Sequence, residues 1–290
     1  MYDDHFGLTD RPFQLTPDPR FYFDSATHKK AMAYLGYGLA QGEGFIVITG
    51  EVGTGKTTLV GHLMETIDAT RLNAVKLVST QVGADDLLRL VAQSLDIPTD
   101  NVAKAQLLDR IERRLHDSAR GGKRTLLIVD EAQLLERGAL EELRMLSNFQ
   151  GGGHALMQIF LLGQPEFREM LNGDGGLEQL RQRVIATHHL EPMATDEVGP
   201  YIRHRLETAG WSGRPHFTQD AFAALHTHAD GVPRRLNLLA GRVLLLAAVE
   251  KVDTIDAAMV EATAADLARD DRPASPVPRS GASASCRAQA

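Results

Sequence analysis

The stretch Phe45–Val60, FIVITGEVGTGKTTLV, leaves this chain little freedom of fold. An apolar, β-branched run, Phe45–Thr49, stops at Gly50, passes a loop with two more glycines and enters a helix at Lys56. Gly50, Glu51, Val52, Gly53, Thr54, Gly55, Lys56 and Thr57 satisfy the phosphate-loop pattern G-x-x-x-x-G-K-[ST] in full, and Thr58 follows at the helix start. The glycines let backbone N–H groups turn inward around phosphate oxygens. The helix Lys56–Ile67 adds the positive end of its dipole to the same anion site. Lys56 is expected to reach the β- and γ-phosphates, and the Thr57 hydroxyl to ligate Mg²⁺.

A loop of this kind needs a buried strand before it and a sheet around that strand. The sequence supplies further strand-like runs at Ala74–Ser79, Thr125–Val129, Gln158–Leu162 and Val184–Leu190, separated by helical periods. The first three are strongly apolar, as strands covered on both faces must be. The last, VIATHHL, is more polar and suits a sheet edge. In Lys104–Ala119, Leu107, Leu108, Ile111 and Leu115 share one face, with Asp109, Arg110, Glu112 and Arg113 opposite. The fold expected is α/β: a three-layer P-loop core with a parallel sheet over 26–192. Beyond Pro192 the strand signals stop and the periods are helical, giving a small all-helical lid domain over 193–269. Residues 1–25, with RPFQLTPDPRFYF, read as an extended lead-in lying on the core. The stretch 270–290, rich in Pro, Ser and Ala, reads as disordered.

The second half of the phosphate chemistry is TLLIVDEAQLL, Thr125–Leu135. It places Asp130 and Glu131 at the C-terminal end of a buried strand, where open α/β sheets bind ligands. Asp130 is the candidate Mg²⁺ holder, and Glu131 the candidate base that polarises the attacking water. The run Ala74–Ser79 lies between the loop strand and the acidic strand in the chain. That suits ATPases in which those two strands are not sheet neighbours. Ser79 and Thr80, at the end of that run, are weaker candidates, for restraining Glu131.

Four further positions carry competing readings. Gln164, ending LLGQPEF, can touch the γ-phosphate or the water, or serve only the turn that Pro165 imposes. Arg181 and Arg183, in LEQLRQRV, fit either a solvated helix face or an arginine offered to a neighbouring subunit's nucleotide, with Arg183 favoured. Arg234, in DGVPRRLN, stands at a helix N-terminus, where the dipole disfavours a cation. A remote anionic partner, the γ-phosphate across the domain cleft, resolves that conflict. Arg235 reads as a surface ion-pair residue.

Composition narrows the class. With 43% hydrophobic and 24% charged residues the chain reads as a globular protein. A net charge of −7 speaks against a protein that coats nucleic acid. Cys286 is the only cysteine, so no internal disulfide is expected and a cytoplasmic setting fits. The N-terminus has acids where a signal peptide needs cations. Leu236–Val249 is too short to span a bilayer and carries Arg242, so no direct membrane span is expected. A guanine-reading N-K-x-D motif is absent, which favours ATP.

Taken together with FGLTDRPFQLTPDPRFYF, GEVGTGKTT, DEAQLL, ELRMLSNF, LLGQPEFRE, LRQRV and GVPRRLN, the chain resembles an AAA+ ATPase of the ExeA/GspA secretion type over roughly residues 1–268. MAYLGYGLAQGEGFIVITGE, KLVSTQ and EELRMLSNFQ bring it closer still to the branch found with PEP-CTERM/exosortase (XrtA) and exopolysaccharide loci. The resemblance implies ATP and Mg²⁺ as cofactors and nucleotide-dependent homo-oligomerisation. It also implies a role in energising or switching a membrane-bound secretion or polysaccharide-export assembly. It maps Lys56 and Thr57 to nucleotide and Mg²⁺, Asp130 and Glu131 to the acidic motif, and Arg234 to the lid sensor. Longer relatives continue into a transmembrane segment and a peptidoglycan-binding domain. Here a short polar stretch follows the lid, so attachment at the inner membrane is expected to come through partners. The alternative is a DNA-associated regulator of the transposition-ATPase type. The acidic charge and the lack of a helix-turn-helix signal count against it, as the lid counts against a small-molecule kinase.

Overall fold

A computed structural model describes residues 2–78, 83–173 and 176–270. Ser79 and Thr80, the stretch beyond Asp270 and Cys286 lie outside the described residues. After a short helix α1 (Tyr2–Phe6) come α2 (Ala26–Gln41), β1 (Phe45–Gly50), α3 (Lys56–Thr66), β2 (Leu72–Val78), α4 (Ala84–Ser94), α5 (Lys104–Arg120) and β3 (Arg124–Asp130). The core continues with α6 (Arg137–Leu146), a hairpin of β4 (Gln150–Gly151) and β5 (His154–Ala155), β6 (Met157–Gly163), α7 (Pro165–Asn172), α8 (Glu178–Arg181) and β7 (Val184–Leu190).

The five long strands form one parallel sheet in the order β2-β3-β6-β1-β7. Alternation along each strand sorts its side chains between two cores. Phe45, Val47, Leu127, Val129, Ile159 and Leu161 face α4, α5 and α6. Ile46, Ile48, Leu126, Ile128, Phe160 and Leu162 face α2 and α3. The fold is thus three-layered, as expected. The loop strand β1 and the acidic strand β3 are separated by β6, and β7 is an edge strand.

The lid comprises α9 (Thr195–Thr208), α10 (Gln219–Ala229), α11 (Pro233–Glu250) and α12 (Ala257–Asp270) around a third apolar cluster. Strand structure does not vanish there. Two two-residue strands, β8 (His216–Phe217) and β9 (Thr254–Ile255), pair in parallel. Such short ladders tie loops together and leave no periodic trace in a sequence. Trp211 packs at the rim of this cluster and donates from Nε1 to the Pro215 carbonyl at 3.1 Å.

The lead-in departs from the expected strap on the core. Tyr2–Phe6 is helical, since the first proline is Pro12. Phe6, Leu8 and Phe13 are buried in the lid cluster with Val198, Leu236 and Leu239. Its later part touches the core: Pro19 lies against Gly61, and Tyr22 stacks on His62 with ring centroids 3.9 Å apart. The lead-in therefore bridges lid and core. The physical reason is that Phe6, Leu8 and Phe13 bury their apolar surface in one cluster with Val198 and Ile202 of α9 and Leu236 and Leu239 of α11.

Candidate nucleotide site

The C-terminal ends of β1, β3 and β6 bring Gly50, Asp130–Glu131 and Gln164 to one rim of the sheet. This is the crevice where open α/β sheets hold ligands. Gly53 and Gly55 take φ of +88° and +96°, backbone that L side chains rarely adopt. The turn frees the loop to lead into α3, whose N-terminal residues include Lys56, Thr57 and Thr58.

Lys56 is 7% exposed and its ammonium donates to the carbonyls of Gly50 at 2.6 Å and Glu51 at 2.9 Å. Burial lowers its pKa, opposed by the charges of Glu131, Asp130 and Glu51. Asp130 is 4% exposed. Its Oδ2 accepts from the Thr57 hydroxyl at 3.2 Å and its Oδ1 from the Glu131 amide at 3.1 Å. A hydroxyl and a carboxylate converging in this way are hard oxygen donors of the kind Mg²⁺ takes. Val52 is exposed at the loop tip, and Thr54 caps the turn by donating its hydroxyl to the Glu51 carbonyl at 2.9 Å.

Glu131 sits in left-handed backbone, φ 56°. Two amides hold its carboxylate. Gln133 donates to Oε2 at 2.6 Å and Gln164 donates to the same oxygen at 3.2 Å. The Gln133 Oε1 accepts the Gln164 backbone N–H at 3.0 Å, closing a ring between the ends of β3 and β6. Gln164 thus meets Glu131, not solely the turn before Pro165.

Sequence reading missed several residues here. His28 of α2, 6% exposed, lies beneath the loop: a Cβ on Gly55 would meet its Nε2 at 2.8 Å. The Ser25 hydroxyl lies 2.6 Å from Nδ1, and burial lowers the His28 pKa to about 4, so the ring is neutral at neutral pH. Lys76 of β2 pairs with Asp130 at 3.1 Å. His28 lies in none of the motifs read from the sequence, and Lys76 opens KLVSTQ, a stretch that assigned it no role; what marks it is a lone cation in the apolar run NAVKLV.

The lid meets the loop directly. The Arg234 amide donates to the Gly53 carbonyl at 3.1 Å, and its side-chain methylenes cover Gly53, where a Cβ would lie 2.5 Å from the Arg234 Cβ. Arg235 pairs with Asp230 at 2.6 Å, the surface role expected of it. A cleft of about 190 Å³ opens beside the loop, walled by Gln14–Asp18 and Phe21–Phe23 of the lead-in and by Tyr201, Arg205 and Asn237 of the lid. Tyr201 donates to Asn237 Oδ1 at 2.7 Å. The buried Arg205 donates to the Pro12 carbonyl and stacks on Phe21, 4.7 Å from its ring centroid.

Arg181 and Arg183 are not brought to this rim. Arg183 precedes Val184, which pairs with Phe45 at the start of β1. The loop begins five residues on, about 16 Å away along the strand. Arg181 is held by Glu178 on the exposed face of α8. Arg183 donates to the Ser147 hydroxyl at 3.4 Å and lines a polar pocket with Arg144, Gln179 and Gln182.

Comparison with known proteins agrees with this geometry. Residues 39–171 match the family model of an AAA domain. General secretion pathway protein A of Aeromonas hydrophila is 40% identical over 248 residues, covering 85% of this chain and 45% of that protein. The chain therefore spans less than half the length of the curated relative it matches. Among solved structures, Aeropyrum pernix ORC1 in complex with DNA aligns with a TM-score of 0.65 at 15% identity, covering 90% of this chain and 70% of that one. Cdc6p of Pyrobaculum aerophilum gives 0.65 at 16%, covering 87% and 68%. The RuvB Holliday junction branch migration motor of Thermotoga maritima gives 0.53 at 18%, covering 83% and 68%. At such identities these likenesses establish the fold alone.

Proposed function

We propose that this GspA-like AAA protein, with the fold of the P-loop nucleoside triphosphatases, binds ATP with Mg²⁺ and hydrolyses it to ADP and phosphate, thereby energising or switching a secretion assembly. The observation that carries the reading is the convergence of the phosphate loop, Asp130, Glu131 and Gln164 on one rim, under a lid that touches Gly53. The loop amides and Lys56 hold the phosphates once Lys56 exchanges the Gly50 and Glu51 carbonyls for phosphate oxygens. Thr57 and Asp130 would hold a Mg²⁺, which would supply positive charge against the phosphates. Glu131 takes the proton of the attacking water, oriented by Gln133 and Gln164. Arg234 reports the γ-phosphate to α11 and so to the lid.

The 16 Å between Arg183 and the loop start of its own chain, estimated from strand rise at about 3.3 Å per residue, supports an arginine acting on a neighbour's nucleotide in a homo-oligomer. The relation to a secretion protein supports membrane-bound secretion components as partners, reached from the cytoplasmic side. Among the described residues no helix is long and apolar enough to cross a membrane. Within that class, the wording of MAYLGYGLAQGEGFIVITGE and EELRMLSNFQ favours exosortase-linked polysaccharide export.

Purified protein is expected to release phosphate from ATP. Glu131→Gln should retain nucleotide binding and lose turnover by about 100-fold or more. Lys56→Ala should lose both. Unchanged turnover in Glu131→Gln would overturn the assignment of the base. Co-purification with exosortase-locus products, or its failure against other secretion components, tests the pathway.

A further inference from the structure

The acidic end of β3 is already engaged by a cation of the chain itself. Parallel register pairs Lys76 with Ile128 and Val78 with Asp130. Side chains two apart on a strand share a face, so Asp130 projects on the side of Ile128, the side facing α3. From the neighbouring strand Lys76 reaches along that face, and its ammonium lies 3.1 Å from Asp130 Oδ2. The Thr57 hydroxyl uses the same oxygen at 3.2 Å, and the Glu131 amide uses the other at 3.1 Å. Asp130 is 4% exposed, whereas the Lys76 side chain is 26% exposed and next but one to the exposed Val78. The carboxylate is fixed and the ammonium has a route outward.

We infer that Lys76 is a built-in counter-cation that competes with Mg²⁺ for Asp130 and sets the Mg²⁺ concentration at which nucleotide is held. This inference rests on the proposed nucleotide site. A divalent ion seated between Thr57 and Asp130 meets a positive charge within a few ångströms in a site shielded from bulk water, where repulsion is strong. Lys76 must swing toward solvent for that ion to take full hold. Before it does, the ammonium keeps Asp130 paired, so the carboxylate is never buried without a counter-charge. The position is metal-gating and positioning in character. Lys76 acts through Asp130.

The test compares the whole chain with Lys76→Met, Lys76→Gln and Lys76→Arg. A fluorescent, slowly hydrolysed ATP analogue is titrated with Mg²⁺, and bound Mn²⁺ is followed separately by its paramagnetic resonance in the presence of the analogue. Removing the charge in Met and Gln should lower the half-saturating Mg²⁺ by about fivefold or more, while Arg should stay within about twofold of the native protein. The Mn²⁺ signal should shift in the same order. An unchanged or raised Mg²⁺ requirement in Met and Gln, with nucleotide still bound, overturns the role of Lys76 and leaves the nucleotide site standing. Unfolding of both Met and Gln variants overturns it in favour of a structural ion pair. Failure of every form to bind nucleotide overturns this inference together with the function it rests on.

Discussion

At the scale of single residues, the site is a pair of carboxylates held by neighbours: Thr57 and Lys76 on Asp130, Gln133 and Gln164 on Glu131. Glu131 in left-handed backbone has its carboxylate clamped through one oxygen by Gln133 and Gln164. Losing the Gln133 amide frees the carboxylate to rotate while the phosphate loop is untouched. Gln133→Ala should therefore lower kcat about tenfold or more with nucleotide affinity held within about twofold, measured by steady-state turnover and analogue binding. His28 gives a pH-dependent counterpart. Its folded pKa is depressed from 6.5 to about 4 by burial. The unfolded chain therefore takes up the proton first as pH falls, and the stability contributed above pH 6.5 is lost between 6.5 and 4. From pH 7 to pH 5 this one group should cost about 2 kcal/mol of unfolding free energy. Chemical denaturation at the two pH values should show that loss in the native protein and a loss smaller by that amount in His28→Asn.

At the scale of elements, two contacts couple the nucleotide loop to other parts of the chain. Below it, α2 presents His28, anchored by Ser25, which also caps the helix. Above it, the first turn of α11 rests on Gly53 through the Arg234 amide and side chain. Gly53 is required twice over, by its φ of +88° and by the 2.5 Å that a Cβ would leave to the Arg234 Cβ. Gly53→Ala should destabilise the fold by about 1–3 kcal/mol and weaken nucleotide binding, read as a lower Tm and a raised Kd for the analogue. The same substitution at Gly152, which also has positive φ but nothing within 4 Å of a Cβ, should cost only the backbone part. The central strands β1, β3 and β6 were legible because parallel strands buried on both faces leave continuous apolar runs; β2 and β7 are half-buried edge strands, and the observed bounds of all five differ from the expected ones by two residues at most. The hairpin β4–β5 and the pair β8–β9 were not, since two residues cannot display a period.

At the scale of the whole molecule, lid, core and lead-in enclose one cleft. Arg205 is the joint between two of them: it binds the Pro12 carbonyl and stacks on Phe21 while sitting on α9. Arg205→Leu removes those contacts and should detach the lead-in, read as protease sensitivity within residues 7–20 and a raised Kd for nucleotide. Arg183 lines a polar pocket away from the phosphate loop of its own chain, so the role proposed for it is one in an assembly. Mixing Arg183→Ala with Glu131→Gln subunits tests this. Each alone should be impaired, and the mixture should regain turnover only if an intact Arg183 serves an intact Glu131 across a subunit boundary. Arg181→Ala, where the arginine is tied to Glu178, should keep most activity.

The sequence by itself determined the layered α/β fold, the loop Gly50–Thr57, the acids at the end of β3 and a helical unit beyond residue 192. These follow from local rules: the phosphate loop is contiguous, and burial on both faces of a strand writes itself into consecutive residues. Tertiary structure alone decided that Lys76 pairs with Asp130, that His28 supports the loop, that Gln133 joins Gln164 to Glu131, and that the lead-in packs on the lid. Each of those depends on strand order, register or the closing of one apolar face on another. Such juxtapositions link residues about 30 to 230 positions apart, and no local pattern encodes them.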